Sequence, residues 1–198
     1  MERKSLVLKE IKRKSIHVIP GFAAIPIVVW LGKYIAIPIA IIFLLLYTLN
    51  ELYLNGWIRK PIPIATHTFY IMAREEELRE RTFIGTILFW SLTVLIIVFL
   101  PPVKAAAAIM ISSLGDAAAA ITGKAIGITS IPYNKKKTLM GSIAMFATSL
   151  LYCLILGIDI VKSIAVSSIA TAVESATPIS YLDELTVPAI AAVVLYIA

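Results

Sequence analysis

The sequence is poor in most residues that mark a soluble catalyst. Its single cysteine, Cys153, lies in an apolar run, which excludes a disulfide framework and any cysteine-based zinc or iron–sulfur site. A reduced, buried thiol is what remains. Charged residues make up 15% of the 198 positions against 60% hydrophobic, and the mean hydropathy is +0.92. That balance excludes an ordinary soluble globule. Internal repeats and low-complexity linkers are lacking. So are the usual nucleotide fingerprints: no GxGxxG is present, and Lys124 stands before an alanine, so the GxxxxGK[ST] spacing fails.

The chain does have long apolar runs. Broken at charges and turn residues, they predict helices over Ile16–Leu31, Tyr34–Leu54, Phe83–Leu100, Val103–Thr122, Ser142–Ile158, Ile160–Thr177 and Leu185–Ala198. A spanning helix takes about 20 residues, so seven such runs use nearly the whole chain. The expected fold is all-α, a polytopic membrane protein read as one integral domain over 1–198. Pro20-Gly21 and Pro26 predict kinks or a partial span in the first run.

A formal charge of +6 would suggest nucleic acid in a soluble protein, but here its distribution says more. Segments 1–15, 55–82 and 123–141 hold 6, 5 and 4 Lys/Arg, and the opposite side only Lys33, Lys104 and Lys162. The bias places the N-terminus and these loops in the cytosol. No nucleic-acid partner is expected. The basic start is not followed by a small-residue cleavage site, so the first run reads as a retained helix. Loop 55–82 opens on Gly56, Pro61 and Pro63 and then becomes charged over Arg74–Arg81, which predicts a turn followed by a helix.

Three acids, Glu51, Asp116 and Glu174, lie in or beside apolar runs, where ionisable groups are costly and point to function. Each falls within two helical turns of the cytosolic end of its run, roughly 10 Å, so the three could meet at one level. Snorkelling into headgroups is the bland alternative, strongest for Glu51. Asp116, Ala120, Gly123 and Gly127 follow helical spacing and share one face. Helix packing explains the small residues but not the aspartate. Asn134-Lys135-Lys136-Lys137-Thr138 follows, then Gly141-Ser142 at the start of the next helix. Lysines, hydroxyls and a helix N-terminus suit phosphate. A lysine cluster standing alone would also serve anionic lipid. Together with Asp116 and the glycines, it reads as a site for Mg²⁺ and a polyphosphate within 115–144.

Asp116, Ala119, Gly123 and Gly127, then Lys136-Lys137-Thr138 and Gly141-Ser142-Ile143-Ala144, resemble the CTP-binding signature of the dolichol kinase and phytol kinase family, D-x-x-A-x-x-x-G-x-x-x-G followed by K-K-T-x-E-G-[ST]-x-A. One position departs, Met140 standing where the family has glutamate. Arg13-Lys14 with His17, Arg74 and Glu75 before Gly85-Thr86, and Glu174 followed by Leu182-Asp183-Glu184-Leu185-Thr186-Val187-Pro188 extend the resemblance over most of the chain.

The resemblance implies a CTP-dependent kinase that phosphorylates the hydroxyl of a long isoprenoid alcohol of dolichol, phytol or geranylgeraniol type. The partners would be CTP, that alcohol and membrane lipid, with the active site facing the cytosol. Asp116 would hold Mg²⁺ or take the hydroxyl proton, with Asp183 as a further metal ligand and Glu174 as a second acidic group. Lys136 and Lys137 would cradle the β- and γ-phosphates. Gly123, Gly127, Lys135, Thr138, Gly141 and Ser142 would receive the nucleotide. Arg13, Lys14, His17, Glu51, Arg74 and Glu75 are expected to contact substrate or phosphate, although a histidine at a span's start is commonly interfacial. Rival readings are a phosphatidate cytidylyltransferase, whose C-terminal G-H-G-G-x-x-D-R signature is missing here, a CTP-dependent diacylglycerol kinase, and a transporter. The last lacks matching broken helices.

Overall fold

The structure is a computed structural model that describes residues 2–179 and 181–197. It is mostly helical. Helix α1 (Glu2–His17) leads into a short α2 (Ile19–Ala23) and a π-helical stretch, Ala24–Trp30. The first apolar run is thus broken where its prolines predicted. Gly32, at φ 79°, makes the turn into α3 (Lys33–Leu54), a conformation that glycine adopts without penalty. Next come α4 (Pro63–Met72), α5 (Glu75–Glu80), α6 (Ile84–Phe99) and α7 (Pro102–Met110). A second π-helical stretch, Ile111–Gly115, carries α7 into α8 (Asp116–Ile126). A two-stranded hairpin, β1 (Ser130–Ile131) with β2 (Asn134–Thr138), precedes α9 (Leu139–Ile155), α10 (Ile160–Ala176) and α11 (Asp183–Ile197).

Several of these elements depart from expectation. Of segment 1–15, expected only as a cytosolic stretch, residues 2–15 form most of α1. Within 55–82 the turn and the charged helix α5 are present, but α4 stands between them where a loop was expected. Pro63 occupies its first turn, where a missing N–H costs nothing. The fourth apolar helix runs on to Ile126, and the hairpin occupies part of an expected loop. Ala198, the expected end of the last run, lies outside the described residues.

The continuous helix Pro102–Ile126 is the hub of the bundle. Ala105, Ala106, Ala107 and Ala108 are fully buried, and such small side chains let neighbouring helices come close. The α7 half packs against the first π-helical stretch, α2, α6 and α11, while α8 packs against α1 and α9. Among the described residues two helices are long and apolar enough to cross a membrane, Lys33–Leu54 and Pro102–Ile126; 84–99 and 139–155 are apolar but shorter. Ile42, Leu45, Phe99, Leu151, Ile155 and Val193 lie exposed on the outer faces.

Candidate functional site

Four elements meet where the hub helix passes from its π-helical stretch into α8. Helix α1 contributes Lys14 and His17, three residues apart and so on one face. Lys14 is fully buried and forms an ion pair with Asp116 Oδ2, while His17 Nε2 lies 3.1 Å from the same oxygen. On its other side, His17 Nδ1 is 3.7 Å from Glu184 Oε1. Ser113 fixes the junction by donating its hydroxyl to the His17 carbonyl and accepting from the Gly21 N–H at 3.2 Å.

The hairpin supplies the second cation. Asn134 anchors it, its Nδ2 donating to the carbonyls of Ser175 at 3.0 Å and Thr177 at 2.9 Å. Strand β2 then carries Lys137 beneath the bundle, where its ammonium contacts Glu174 and, at 2.7 Å, Asp183 Oδ2. Burial alone would lower the Lys137 pKa, but Glu174, Asp183 and Asp116 together hold it above its ordinary value. Asp183 stands just before the last apolar run. Burial pushes its carboxyl up to about 7 against the pull of Lys137, with Asp116 and Glu174 pushing the same way as burial.

Two overlapping groups result, His17 with Asp116 and Glu184, and Asp116 with Glu174 and Asp183. In each, one ligand atom per residue lies within 4.8 Å of the others. Four carboxylates face two lysines, so when all are ionised the negative charge is in excess. Asp183 Oδ1 is buried and has no hydrogen-bond partner among the described residues, an arrangement that costs free energy unless a ligand satisfies it. An all-oxygen set with one unsatisfied carboxylate oxygen fits a hard divalent cation such as Mg²⁺.

Other expected site residues stand elsewhere. Lys135 and Lys136 are exposed on the hairpin. Glu51 joins neither acidic group; it accepts from the Thr82 hydroxyl at 2.8 Å and the Phe83 N–H at 2.7 Å, bracing the start of α6. Glu75 pairs with Lys9 at the surface, and the Arg74 N–H is capped by Glu77 at 2.7 Å. Arg13 is bound to Glu10, whose carboxyl burial raises but Arg13 holds below its usual value. Ser142 Oγ is buried without a partner.

Around Gly123, Gly127 and Gly141 the space is taken by the chain itself. A Cβ on Gly123 would meet Thr138 Oγ1 at 2.9 Å, and one on Gly127 would meet the same oxygen at 2.6 Å. At Gly141 a Cβ would lie 2.9 Å from the Ala119 carbonyl oxygen. These glycines let α8, β2 and α9 close around Thr138, whose side chain caps α9 by accepting from the Gly141 N–H at 3.1 Å.

Sequence reasoning passed over Glu184 and Glu10 as site residues and ranked His17 low. The spacing of Glu10, Lys14 and His17 along one helical face was the available signal for α1. His17 and Glu184 also lie at one end of a largely apolar cavity of about 320 Å³ lined by α1 to α4, the first π-helical stretch, α6, α7 and α11. Comparison with protein-family models, curated proteins and solved structures gives no match for the chain.

Proposed function

We propose that the protein is a multi-pass membrane kinase that transfers the γ-phosphoryl group of CTP to the hydroxyl of an isoprenoid alcohol at the cytosolic face. The observation that carries this reading is the meeting of Lys137 with Asp116, Glu174 and Asp183 beside the polar end of an apolar cavity. A water-soluble polyphosphate and a lipid hydroxyl need such a junction. Seven spans with the N-terminus in the cytosol agree with the fifteen-to-three distribution of Lys/Arg and with the exposed apolar outer faces. The preference for CTP comes from the resemblance of the 116–144 motif.

In the proposed reaction the alcohol oxygen forms a bond to the γ-phosphorus as the bond from that phosphorus to its bridging oxygen breaks, and CDP leaves. The hydroxyl proton passes to the pair formed by His17 Nε2 and Asp116. Lys137 neutralises phosphate charge, and Asn134 holds its strand in place. Asp116, Glu174 and Asp183 would hold Mg²⁺, which supplies charge neutralisation across the phosphates. Positioning and electrostatics account for most catalysis of this kind.

The test is incubation of purified protein in lipid with Mg²⁺, γ-labelled CTP or ATP, and a panel of prenyl alcohols and diacylglycerol, beside Asp116→Ala. Label entering a prenyl alcohol from CTP, and lost in the variant, is the expected result. Label entering diacylglycerol alone would move the reading to a diacylglycerol kinase. Pyrophosphate release with phosphatidic acid, with no transfer of γ-label, would make it a cytidylyltransferase.

A further inference from the structure

The cavity that ends at His17 and Glu184 has a shape of its own. Its floor is formed by Val28, Ala36, Ile97 and Ile109, none more than 3% exposed. Its lining also includes Ile19, two residues from His17, and Ile64, which are 57% and 62% exposed, whereas the floor residues are buried. From His17 to Val28 the chain advances eleven residues, about 16 Å of helix.

Two measures of capacity agree. An apolar cavity of about 150 Å³ takes one six-carbon ring, so about 320 Å³ takes roughly thirteen carbons. An extended chain advances about 1.2 Å per bond, so about 16 Å accommodates about fourteen bonds. Either figure corresponds to a single chain of about three isoprene units. Two acyl chains exceed the volume, and a polyprenol of many units exceeds the depth. Orientation follows from polarity, because His17 Nε2 is buried and makes no hydrogen bond among the described residues, a need that a hydroxyl meets and an apolar tail does not.

We infer that this cavity is the acceptor site and sets acceptor length: it seats one single-chain primary alcohol of about three isoprene units, hydroxyl at His17 and Glu184, far end on the floor made by Val28 and Ala36. The inference rests on the lipid-kinase reading for the identity of the polar end. Its occupant is a free short prenyl alcohol rather than a two-chain lipid.

Binding can be read without turnover through Trp90, which lines the cavity, after the exposed Trp30 and Trp57 are replaced by Phe. In nucleotide-free protein held in nanodiscs, farnesol should change Trp90 emission at concentrations at least tenfold below those needed for geraniol, which buries five fewer carbons, or for undecaprenol and dioleoylglycerol, which overfill the cavity. Val28→Phe raises the floor and should weaken farnesol about tenfold while leaving geraniol within about twofold. Ala36→Leu, on the facing helix, should reproduce that pattern and serves if Val28→Phe does not elute as a single species. Equal binding of dioleoylglycerol or undecaprenol, the same weakening at every chain length, or no emission change with any alcohol would overturn the inference. Farnesol binding with the expected length dependence, but without label transfer, would keep the cavity assignment and remove the kinase. Label transfer to farnesol with no length-selective effect of either floor variant would keep the kinase and remove the length-setting role.

Discussion

Lys14 reaches from α1 to the Asp116 carboxylate on the hub helix, 102 residues away in sequence, and Lys14 is wholly shielded from solvent. This pair ties the N-terminal helix to the centre of the site. Removing one member of a buried pair typically costs about 3–5 kcal/mol, because the other charge stays buried and alone. Lys14→Met should therefore lower stability by about 3 kcal/mol, with His17 as the remaining partner of Asp116. Lys14→Met combined with Asp116→Leu should recover much of that loss while remaining inactive. Thermal unfolding in detergent checks both, and equal instability of the single and double variants would show that the pair is not the cause.

Of the three consecutive lysines on the hairpin, only Lys137 enters the acidic cluster, since Lys135 and Lys136 are exposed. Lys137→Ala should reduce turnover by about 10²–10³, the usual effect of deleting one preorganised charge-stabilising donor. Lys135→Ala and Lys136→Ala should each change it by less than about fivefold, as expected of screened surface charges. Steady-state kinetics with labelled CTP separates the three; a loss at Lys136 equal to that at Lys137 would place the nucleotide on the outer face of the hairpin.

Much of the site's membership could be read from the sequence because charge in an apolar run has few excuses. Asp116 and Glu174 stood out on that ground and do come together, and the lysine run lay at a spacing that brought one of its members to them. The choice among the three lysines was not legible, because it depends on how β2 passes under α10 and on the Asn134 anchor, a contact between residues some forty positions apart. Glu51 misled for a related reason. Its cost of burial is offset by the Thr82 hydroxyl and the Phe83 N–H, partners that no helical periodicity reveals. The α4 helix was hidden because its prolines read as a turn, and the π-helical stretch before Asp116 because no local residue pattern announces it.

The glycines of the motif offer a test of packing against ligand contact. At Gly123 an added Cβ meets only the Thr138 hydroxyl closely, whereas at Gly127 it also runs into the Gly123 carbonyl. Gly127→Ala should destabilise by about 1–3 kcal/mol, as overpacking does, and Gly123→Ala by less. Adding Thr138→Ala should relieve Gly123→Ala, apart from about 1 kcal/mol for the lost cap of α9, but should leave most of the Gly127→Ala defect. Chemical denaturation of the four variants without nucleotide reads this directly. Undiminished stability in all of them, with nucleotide affinity lost, would instead assign the glycines to the ligand.

The acid beside Lys137 gives the site a pH dependence whose sign is fixed. Asp183 titrates near 7 in the fold against about 3.9 for an unperturbed aspartate, so between these values the folded state binds more protons than the unfolded one. Its contribution to stability is present below pH 4 and is lost as pH rises through 7. Without divalent cations the protein should therefore lose stability between about pH 4 and pH 7, and Asp183→Asn should flatten that slope. A cation bound to the carboxylate competes with the same proton, so the Mg²⁺ concentration giving half-maximal stabilisation should fall as pH rises from 6 to 8 in the natural sequence and change little in Asp183→Asn. Thermal unfolding across a grid of pH and Mg²⁺ measures both slopes. Mg²⁺ stabilisation that is independent of pH would remove Asp183 from the ligand set and leave Asp116 and Glu174 to hold the cation.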